Sequence, residues 1–297
     1  MNGSQLKSFH AVAQAGSFTA AAKILHITQP AVTTQVKALE AHYDVELFHR
    51  SHRGCVLTES GKALFELTAQ MHTLDAEAAV LLASASGELR GTLNIYADGP
   101  FHSIGILTEF NHRYPDVSIK LTVGNSSMVE RALRRFDADV AILAGADLGA
   151  DLFTLSCGKQ PVALLVPVNH PFAKKSYIEL KKLHGHTMIR RESGSRTQEA
   201  FDRVCKDSGV EPVFTFEMGS REALKESVAS GLGVGAVSFP ETGNDNRVRA
   251  IEIRGAEIKT QEHVVCLSSR RKTRLVRAFL EAAADHHGYA LNPDSRL

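Results

Sequence analysis

The sequence predicts a chain in three parts: a small helical domain, one long helix, and a larger α/β domain made of two lobes. Two short amphipathic segments lie side by side between residues 17 and 40. A heptad pattern of apolar residues follows, and after residue 91 short apolar runs alternate with amphipathic ones. With 297 residues, 43% of them hydrophobic, the chain can form two or three units that each bury a core.

Residues 17 to 40 predict two short helices joined by a tight turn. Ser17 and Thr28 each precede an apolar-periodic segment and can serve as N-caps. Pro30 falls in the first turn of the second helix, where it removes no intrahelical hydrogen bond. The predicted inward residues of the two helices are Phe18, Ala21, Ala22, Leu25, Val32, Val36 and Leu39.

The outward face of the second helix is short and polar. Its residues are Gln29, Thr33, Thr34, Gln35 and Lys37. An α-helix fits the major groove of DNA, where amide and hydroxyl side chains meet base edges and lysine meets phosphate. The pattern by itself is equally compatible with a helical hairpin whose polar face is only solvated.

The residues that follow favour the DNA-binding interpretation. Apolar residues at positions 45, 47 and 48 predict packing against the hairpin, and a basic loop with a glycine at its turn precedes a short extended segment. This order is typical of the wing of a winged helix-turn-helix, whose cations lie along the DNA backbone. The predicted DNA-binding residues are therefore Ser17, Thr28, Gln29, Pro30, Thr33, Thr34, Gln35, Lys37, Arg50 and Arg53.

Residues 4 to 66 resemble the DNA-binding end of a LysR-type transcriptional regulator. The matching residues are Leu6, Phe9, Val12, Gly16, Ser17, Phe18, Ala21, Ala22, Leu25, Gln29, Pro30, Ala31, Val32, Gln35, Leu39, Glu40, Leu47, Phe48, Arg50, Leu57, Thr58 and Gly61. The chain differs at Thr34, where the family often has a basic residue, and at Asp44, where it has a glycine. Aspartate tolerates the left-handed backbone conformation, so we expect the turn at Asp44 to persist.

Charge provides no general attraction to DNA. The formal net charge is +1, and the segment from Met1 to Ser60 contains five Lys and Arg residues and four Asp and Glu residues. Phosphate contacts must therefore come from local placement, from helix N-termini and from symmetry that doubles the site. No secretory leader and no apolar run of membrane-spanning length is evident, so we expect a cytoplasmic protein without a membrane partner.

Motifs for catalysis and for cofactors are not evident in the sequence. The four cysteines are far apart and include no CxxC pair, which predicts reduced thiols and no metal site. The chain lacks a GxSxG elbow, an HExxH pair and a phosphate-binding loop. We therefore expect neither enzymatic activity nor a bound cofactor.

The segment from residue 59 to about 87 predicts one long amphipathic helix. Its apolar residues, spaced three and four apart, are Leu64, Leu67, Met71, Leu74, Ala78 and Leu81. Such a seam can pack onto its own domain or pair with a second copy, and its regularity favours the copy. The resemblance implies the same, because this helix dimerises in LysR-type regulators and the dimers commonly pair into tetramers. Residues 84 to 91, rich in serine and glycine, predict a hinge.

After residue 91, strands and helices alternate in two series followed by a return segment. The predicted strands are 93–96, 117–123, 138–143, 162–168, 213–216, 234–238 and 263–268, and the predicted helices are 102–114, 126–136, 197–208, 221–230 and 273–287. Two series and a return predict two lobes with a cleft, as in periplasmic-type binding folds, which LysR-type effector domains resemble.

The predicted domains are a winged helix-turn-helix over 1–58, a dimerisation helix over 59–88 and an effector-binding domain over 89–297. Its first lobe comprises about 91–160 and 267–297, and its second lobe about 161–266.

Three strand-to-helix loops predict where a ligand binds, because ligands of open α/β sheets lie beyond the carboxyl ends of the strands. Hydroxyls, free amides at helix N-termini and an arginine would suit a small anion. The predicted effector-binding residues are Asp98, Gly99, Pro100, Phe101, His102, Ser103, Asn125, Ser126, Ser193, Ser195, Arg196 and Thr197. Plain N-capping is the competing explanation for the hydroxyls.

These features predict a regulator with three kinds of partner: double-stranded DNA with a pseudo-palindromic operator, a small anionic effector, and further copies of itself. RNA polymerase is a fourth candidate partner. The segments Ala97-Asp98-Gly99-Pro100, Ser195-Arg196-Thr197 and Gly219-Ser220-Arg221-Glu222 loosely resemble those of LysR-type regulators associated with aminoethylphosphonate catabolism. This resemblance makes a phosphonate one candidate effector, beside organic carboxylates and sulfur oxyanions. The alternative is a ligand-independent, architectural DNA-binding protein whose C-terminal domain serves only oligomerisation.

Overall fold

The computed structural model describes residues 2–51, 54–83, 89–145 and 148–288. The chain divides into two compact units, Met1–Gly87 and Glu88–Leu297. Within the described part of the chain, no helix combines the length and the apolar character that crossing a bilayer requires.

The described residues of the first unit form four helices and a short hairpin. Its elements are α1 (Gly3–Ala15), α2 (Phe18–Ile24), α3 (Gln29–Tyr43), β1 (Phe48–Ser51), β2 (Gly54–Leu57) and α4 (Glu59–Ala83), with β1 and β2 antiparallel. The predicted helix-turn-helix is confirmed, with Phe9 and Val12 of α1 packed in the same core as Val32 and Val36 of α3. Leu25, predicted as the last inward residue of α2, instead follows the helix as its C-cap and is only half-buried.

Asp44 ends α3 in the left-handed conformation, with φ of 50°. Its backbone N–H donates to the carbonyl of Glu40, which closes the last helical turn. Aspartate therefore serves at a backbone position that favours glycine, because its short polar side chain tolerates positive φ.

The residues through which the long helix α4 packs onto its own unit are not those of the heptad seam. Phe65 and Ala69 are buried, as is Thr68, which contacts His10 of α1 at 2.9 Å between oxygen and Nδ1. The large seam residues point outward: Leu67 is 57% exposed, Met71 48% and Leu74 62%. Leu64, the first residue of the seam, is half-buried, but packing within the unit does not explain Leu67, Met71 and Leu74.

The first lobe of the second unit is a mixed sheet covered by helices on both faces. It is built from β3 (Gly91–Ala97), α5 (Pro100–Arg113), β4 (Val117–Val123), α6 (Ser126–Arg134) and β5 (Val140–Ala144). The long strand β6 (Leu152–Pro167) leaves this lobe, and β12 (Lys259–Leu267) and α9 (Arg274–His286) return to it. Its strand order is β4-β3-β5-β12-β6. Phe110 and Phe279 pack together in its core with ring centroids 5.3 Å apart.

The second lobe continues the sheet from the far end of β6. Its elements are β7 (Tyr177–Glu179), β8 (Thr187–Arg191), α7 (Arg196–Asp207), β9 (Val213–Met218), α8 (Arg221–Ala229), β10 (Val234–Ser238) and β11 (Val248–Arg254). The sheet path continues β6-β10-β8-β9, and β11 pairs with β6 and β7. A separate core forms around Phe201, Met188 and Leu164.

Strand assignment is where the prediction was least complete. The predicted strand 162–168 is only the second half of β6, which spans 16 residues and belongs to both lobes. The strands β7, β8 and β11 were not predicted. Charged residues alternate along β11 and end β8, and this interrupts the apolar run that signals a buried strand.

Candidate functional site

The N-terminal half of α3 presents an exposed polar surface. Gln29, Thr34 and Lys37 are exposed. The Gln29 side-chain amide donates to the Thr33 hydroxyl at 3.0 Å, and that hydroxyl donates to the Gln29 carbonyl at 3.0 Å. These contacts hold two of the predicted readout side chains in place before any partner arrives, which lowers the entropy cost of binding.

Other predicted DNA-binding residues have structural roles. The Ser17 and Thr28 hydroxyls accept from the N–H groups of Ala20 and Ala31, both at 3.4 Å, and thereby cap α2 and α3. Gln35 is half-buried, and its side-chain oxygen accepts from the Ser8 hydroxyl at 2.5 Å. Pro30 is exposed in the first turn of α3.

The predicted wing corresponds to the β1–β2 hairpin. Arg50 lies in β1 and its backbone pairs with Cys55, but its side chain is outside the described part of the structure. Arg53 falls outside the described residues altogether. Their predicted phosphate contacts therefore stay predictions.

In the second unit, two of the predicted ligand loops meet across the lobes. The Ser127 N–H donates to the Gly194 carbonyl at 3.2 Å, and the Asn125 amide donates to Glu192 at 3.1 Å. Gly194 has φ of +93°, and a Cβ there would lie 2.8 Å from the Ser127 Cβ. Glycine is therefore required both by the backbone conformation and by the close approach.

The third loop contacts the second lobe at a different place. Arg221, the first residue of α8, donates from Nη2 to the Asp98 carbonyl at 2.8 Å and pairs through Nε with Glu241 at 2.6 Å. Gly99 is so close that a Cβ would stand 2.6 Å from Glu241 Oε1. Hydrogen bonds therefore join the two lobes at both of these places.

Arg196 borders an open space between the lobes. It donates to Glu199 at 2.9 Å and to Glu130 of the first lobe at 3.3 Å. A cavity of about 610 Å³ lies beside it. Four cations and two carboxylates line this cavity: Lys159, Arg196, Arg203, Lys259, Glu199 and Glu257. The excess of positive charge suits an anion, although Arg196 already has two carboxylate partners.

The predicted hydroxyls mostly serve local structure. Ser126 donates to the Asp98 carboxylate at 2.6 Å, and Ser195 caps α7 by accepting from Gln198 N–H at 3.5 Å. Ser103 donates within the first turn of α5. The remaining predicted residues are placed as follows: Pro100 is at the start of α5, Phe101 is 57% exposed, His102 and Thr197 are half-buried, and Ser193 is exposed.

Several functional candidates were missed from the sequence. These are Arg191 of β8, Glu241 after β10, and Thr260 and Glu262 of β12. Arg191 acts electrostatically on Glu241, and Glu241 on Glu262, only because the fold brings their segments together. Burial raises the pKa of Glu241 to about 7, although the Arg221 guanidinium opposes this. Burial, with the nearby charges of Asp98 and Glu241, raises the pKa of Glu262 to about 9. One signal was available: an acidic residue two positions before the apolar run 264–267 is unusual in a core strand.

The buried thiols are poorly suited to redox chemistry. Burial raises the pKa of Cys157 to about 12, of Cys205 to about 11 and of Cys266 to about 12. Because the thiolate is the reactive form, these three cysteines are expected to be inert at neutral pH.

Comparisons with known proteins match both units. The family described as "Bacterial regulatory helix-turn-helix protein, lysR family" matches residues 4–62, and the family described as "LysR substrate binding domain" matches residues 86–288. A protein of Cyanidioschyzon merolae named "Probable RuBisCO transcriptional regulator" is 30% identical over 291 residues, which cover 93% of this chain and 95% of that protein.

Solved structures show the same fold. A full-length OxyR variant from Pseudomonas aeruginosa superimposes with a TM-score of 0.75 at 21% identity, covering 96% of this chain and 95% of that one. The Synechocystis CcmR regulatory domain, solved in complex with 2-PG, gives a TM-score of 0.60 at 24% identity, covering 66% of this chain and 97% of that domain.

Proposed function

Because this chain belongs to the LysR-type transcriptional regulators, we propose that it binds a pseudo-palindromic operator as a dimer and that a small anion between its two lobes controls its output. The family makes it a DNA-binding transcriptional regulator with an effector-binding domain, not an enzyme. The anion, its site and the assembly are the parts we propose.

The DNA-binding part of the proposal assigns residues 1–58 to operator recognition. The exposed polar start of α3 supports it, because the side chains of Gln29, Thr34 and Lys37 are accessible to a groove. Residues 59–88 form the dimerisation helix in this proposal, supported by the exposed seam of α4. Two such dimers then pair into a tetramer in the cytoplasm, where RNA polymerase is a further partner.

The effector-binding part assigns residues 89–297 to ligand control, with lobe boundaries near residues 160 and 266. The observation that carries it is the cavity of about 610 Å³, which is lined from both lobes and has four cations against two carboxylates. An anion there would attract Arg196 away from Glu130, a residue of the opposite lobe. Ligand binding would thereby change the contacts between the lobes and shift a pre-existing equilibrium between two arrangements.

A phosphonate is our first candidate for the effector class. Its oxygens accept several hydrogen bonds from arginine, lysine and helix N-termini, as at Ser195 and Thr197. We include 2-PG as a further candidate in the same test, because the similar CcmR domain was solved in complex with it.

The test is a thermal-shift panel of inorganic phosphate, ethylphosphonate, 2-aminoethylphosphonate and 2-PG on the full chain. A ligand that binds only the folded state, present at 100 times its Kd, adds about 2.7 kcal/mol of stability and raises Tm. Arg196→Ala should abolish the rise. Arg277→Ala is the matched control, because Arg277 is an arginine on α9 whose side chain is 70% exposed.

If no compound raises Tm, or if Arg196→Ala responds like the natural chain, the cavity is not the effector site. An operator footprint that is identical with and without every compound would favour the alternative, a ligand-independent DNA-binding protein whose second unit serves assembly.

A further inference from the structure

One face of α7 forms the helical wall of the inter-lobe cavity. Its lining residues are Arg196, Glu199, Ala200 and Arg203. They recur at positions i, i+3, i+4 and i+7 of the helix, which places them in a single stripe. Arg196 and Arg203 are therefore about 10 Å apart along the same face, since an α-helix rises about 1.5 Å per residue.

The two arginines differ in their partners. Arg196 is half-buried and pairs with two carboxylates, Glu199 at 2.9 Å and Glu130 of the first lobe at 3.3 Å. Arg203 is exposed and makes no ion pair with any residue that the structure describes. The guanidinium of Arg203 can therefore bind an anionic group of a ligand without first breaking an internal contact.

The second wall of the cavity comes from β6 and β12. Lys159 and Lys259 share one face of this antiparallel ladder, because Lys159 pairs with Gln261 and Gln261 is two residues from Lys259. Lys259 forms an ion pair with Glu257, whereas Lys159 has no direct ion pair within the described part of the chain. Together with Arg203, the cavity has two cations in excess, which matches a ligand with two negative charges.

The order of charges along α7 favours two separate anionic groups over one compact group. Glu199 and Ala200 occupy the turn between the arginines, and neither side chain can donate a hydrogen bond to an anion at neutral pH. The Glu199 carboxylate also repels negative charge at this central position. A compact anion at Arg196 gains from the helix N-terminus but leaves Arg203 without a partner.

We propose that Arg203 selects an elongated diacid, such as a dicarboxylate or a phosphonocarboxylate, by binding its second anionic group while Arg196 binds the first. The short carbon chain between the two groups lies along α7 beside Ala200. This inference rests on the proposed function, because it names the class of ligand for the same cavity. Only the end at Arg196 competes with Glu130 for a guanidinium, so Arg203 determines selectivity and Arg196 links the ligand to the first lobe.

The experiment compares ligands of equal chain length that have one or two acidic groups. The diacid–monoacid pairs are succinate and butyrate, glutarate and pentanoate, adipate and hexanoate, and 3-phosphonopropionate and propylphosphonate. Each compound is titrated into the full chain by calorimetry at pH 7, where carboxylates are ionised. We expect the diacid of at least one pair to bind roughly ten- to a hundredfold more tightly than its monoacid, because one more charge-assisted contact forms.

Arg203→Gln is the test variant, because it removes the charge of an exposed side chain and keeps most of its polar character. It should bring the affinity for the preferred diacid to within about twofold of the affinity for its monoacid. Lys206→Gln is the matched control, since Lys206 is exposed on the same helix but lies outside the cavity wall. This control loses the same charge and should keep the preference. Equal melting temperatures without ligand check that both variants are folded.

Glu130→Gln tests the other end of the ligand. This variant frees Arg196 from its carboxylate in the first lobe, so the diacid and its monoacid should gain affinity by the same factor. A gain confined to the diacid would contradict the assignment of the first anionic group to Arg196.

Equal affinities within every pair would overturn the selection of a diacid, as would a preference that Arg203→Gln retains. If in either case the monoacids bind and Arg196→Ala abolishes their binding, the proposed anion site stands and only this inference fails. If no compound of any pair binds, both the inference and the proposed anion site fail.

Discussion

The two units place their functional groups in opposite ways. In the first unit, Gln29, Thr34 and Lys37 lie within three turns of one helix and are exposed to solvent. In the second, Asp98, Arg221 and Glu262 come from a loop, a helix start and a returning strand, and they meet in the interior. A surface for a large rigid partner can be built locally, whereas a cleft that encloses a small molecule must be assembled from distant segments.

The largest expected effect concerns dimerisation of the first unit through the seam of α4. Replacing Leu67 and Leu74 with glutamate should break the dimer, because burying two leucines contributes roughly 3 to 6 kcal/mol. Analytical ultracentrifugation should show monomers, and the effector titration curve should be unchanged. Glu66→Gln is the control, since Glu66 is exposed on the same helix but on a face away from the seam. A double variant that remains dimeric would move the interface elsewhere.

The next prediction is that the stabilities of the two units depend on pH in opposite directions. Burial, with the neighbouring His72, lowers the pKa of His10 from 6.5 to about 4. Between pH 6.5 and 4 the unfolded chain binds this proton and the folded chain does not, so the first unit should lose stability on acidification, up to roughly 3 kcal/mol. His10→Gln should flatten this dependence in urea unfolding.

Glu241 and Glu262 should act in the opposite direction. Their folded pKa values are raised from 4.5 to about 7 and about 9. Their contribution to stability is complete below pH 4.5 and is lost as the pH rises through those values. Hydrogen exchange measured at pH 5 and pH 9 should therefore show the first unit less protected at pH 5 and the second at pH 9. Parallel changes in both units would contradict the assignment.

A smaller effect concerns the contact between the lobes. Gly194→Ala should destabilise the second unit by about 2 kcal/mol more than Gly158→Ala. Both glycines have positive φ, at +93° and +97°, but only at Gly194 does the added Cβ meet another residue. The comparison therefore isolates the inter-lobe contact from backbone strain. Equal losses in urea unfolding would mean that strain alone accounts for the effect.

The smallest effect is at the operator. Gln29→Ala should weaken specific binding by about 1 kcal/mol or slightly more and leave non-specific binding almost unchanged. Arg53→Ala should weaken both about equally and reduce the salt dependence of binding. If neither variant changes operator affinity, α3 is not the groove helix.

The contrast between the locally built surface of the first unit and the assembled cleft of the second explains which features the sequence could predict. Caps at Ser17 and Thr28 and the seam of α4 are local patterns, and the structure shows the caps and the outward seam. The partners of Asp98 could not be predicted, because Arg221 is 123 residues away in the chain and only the sheet order brings the two together. Arg196 was predicted as a ready anion donor, but nothing in its own segment revealed that Glu130 of the other lobe would pair with it.

The strand β6 has a mechanical consequence. It pairs with β12 in the first lobe and with β10 and β11 in the second. The exchange of partners occurs at Pro161 and Val162, and Pro161 has no N–H to donate. A rotation of one lobe against the other therefore twists β6 beside β12, at a point where β6 lacks one backbone donor. Contacts across the cleft, such as the hydrogen bond from Ser127 N–H to the Gly194 carbonyl, oppose the same rotation, so the rim of the cleft contributes to the stiffness of the domain together with its axis.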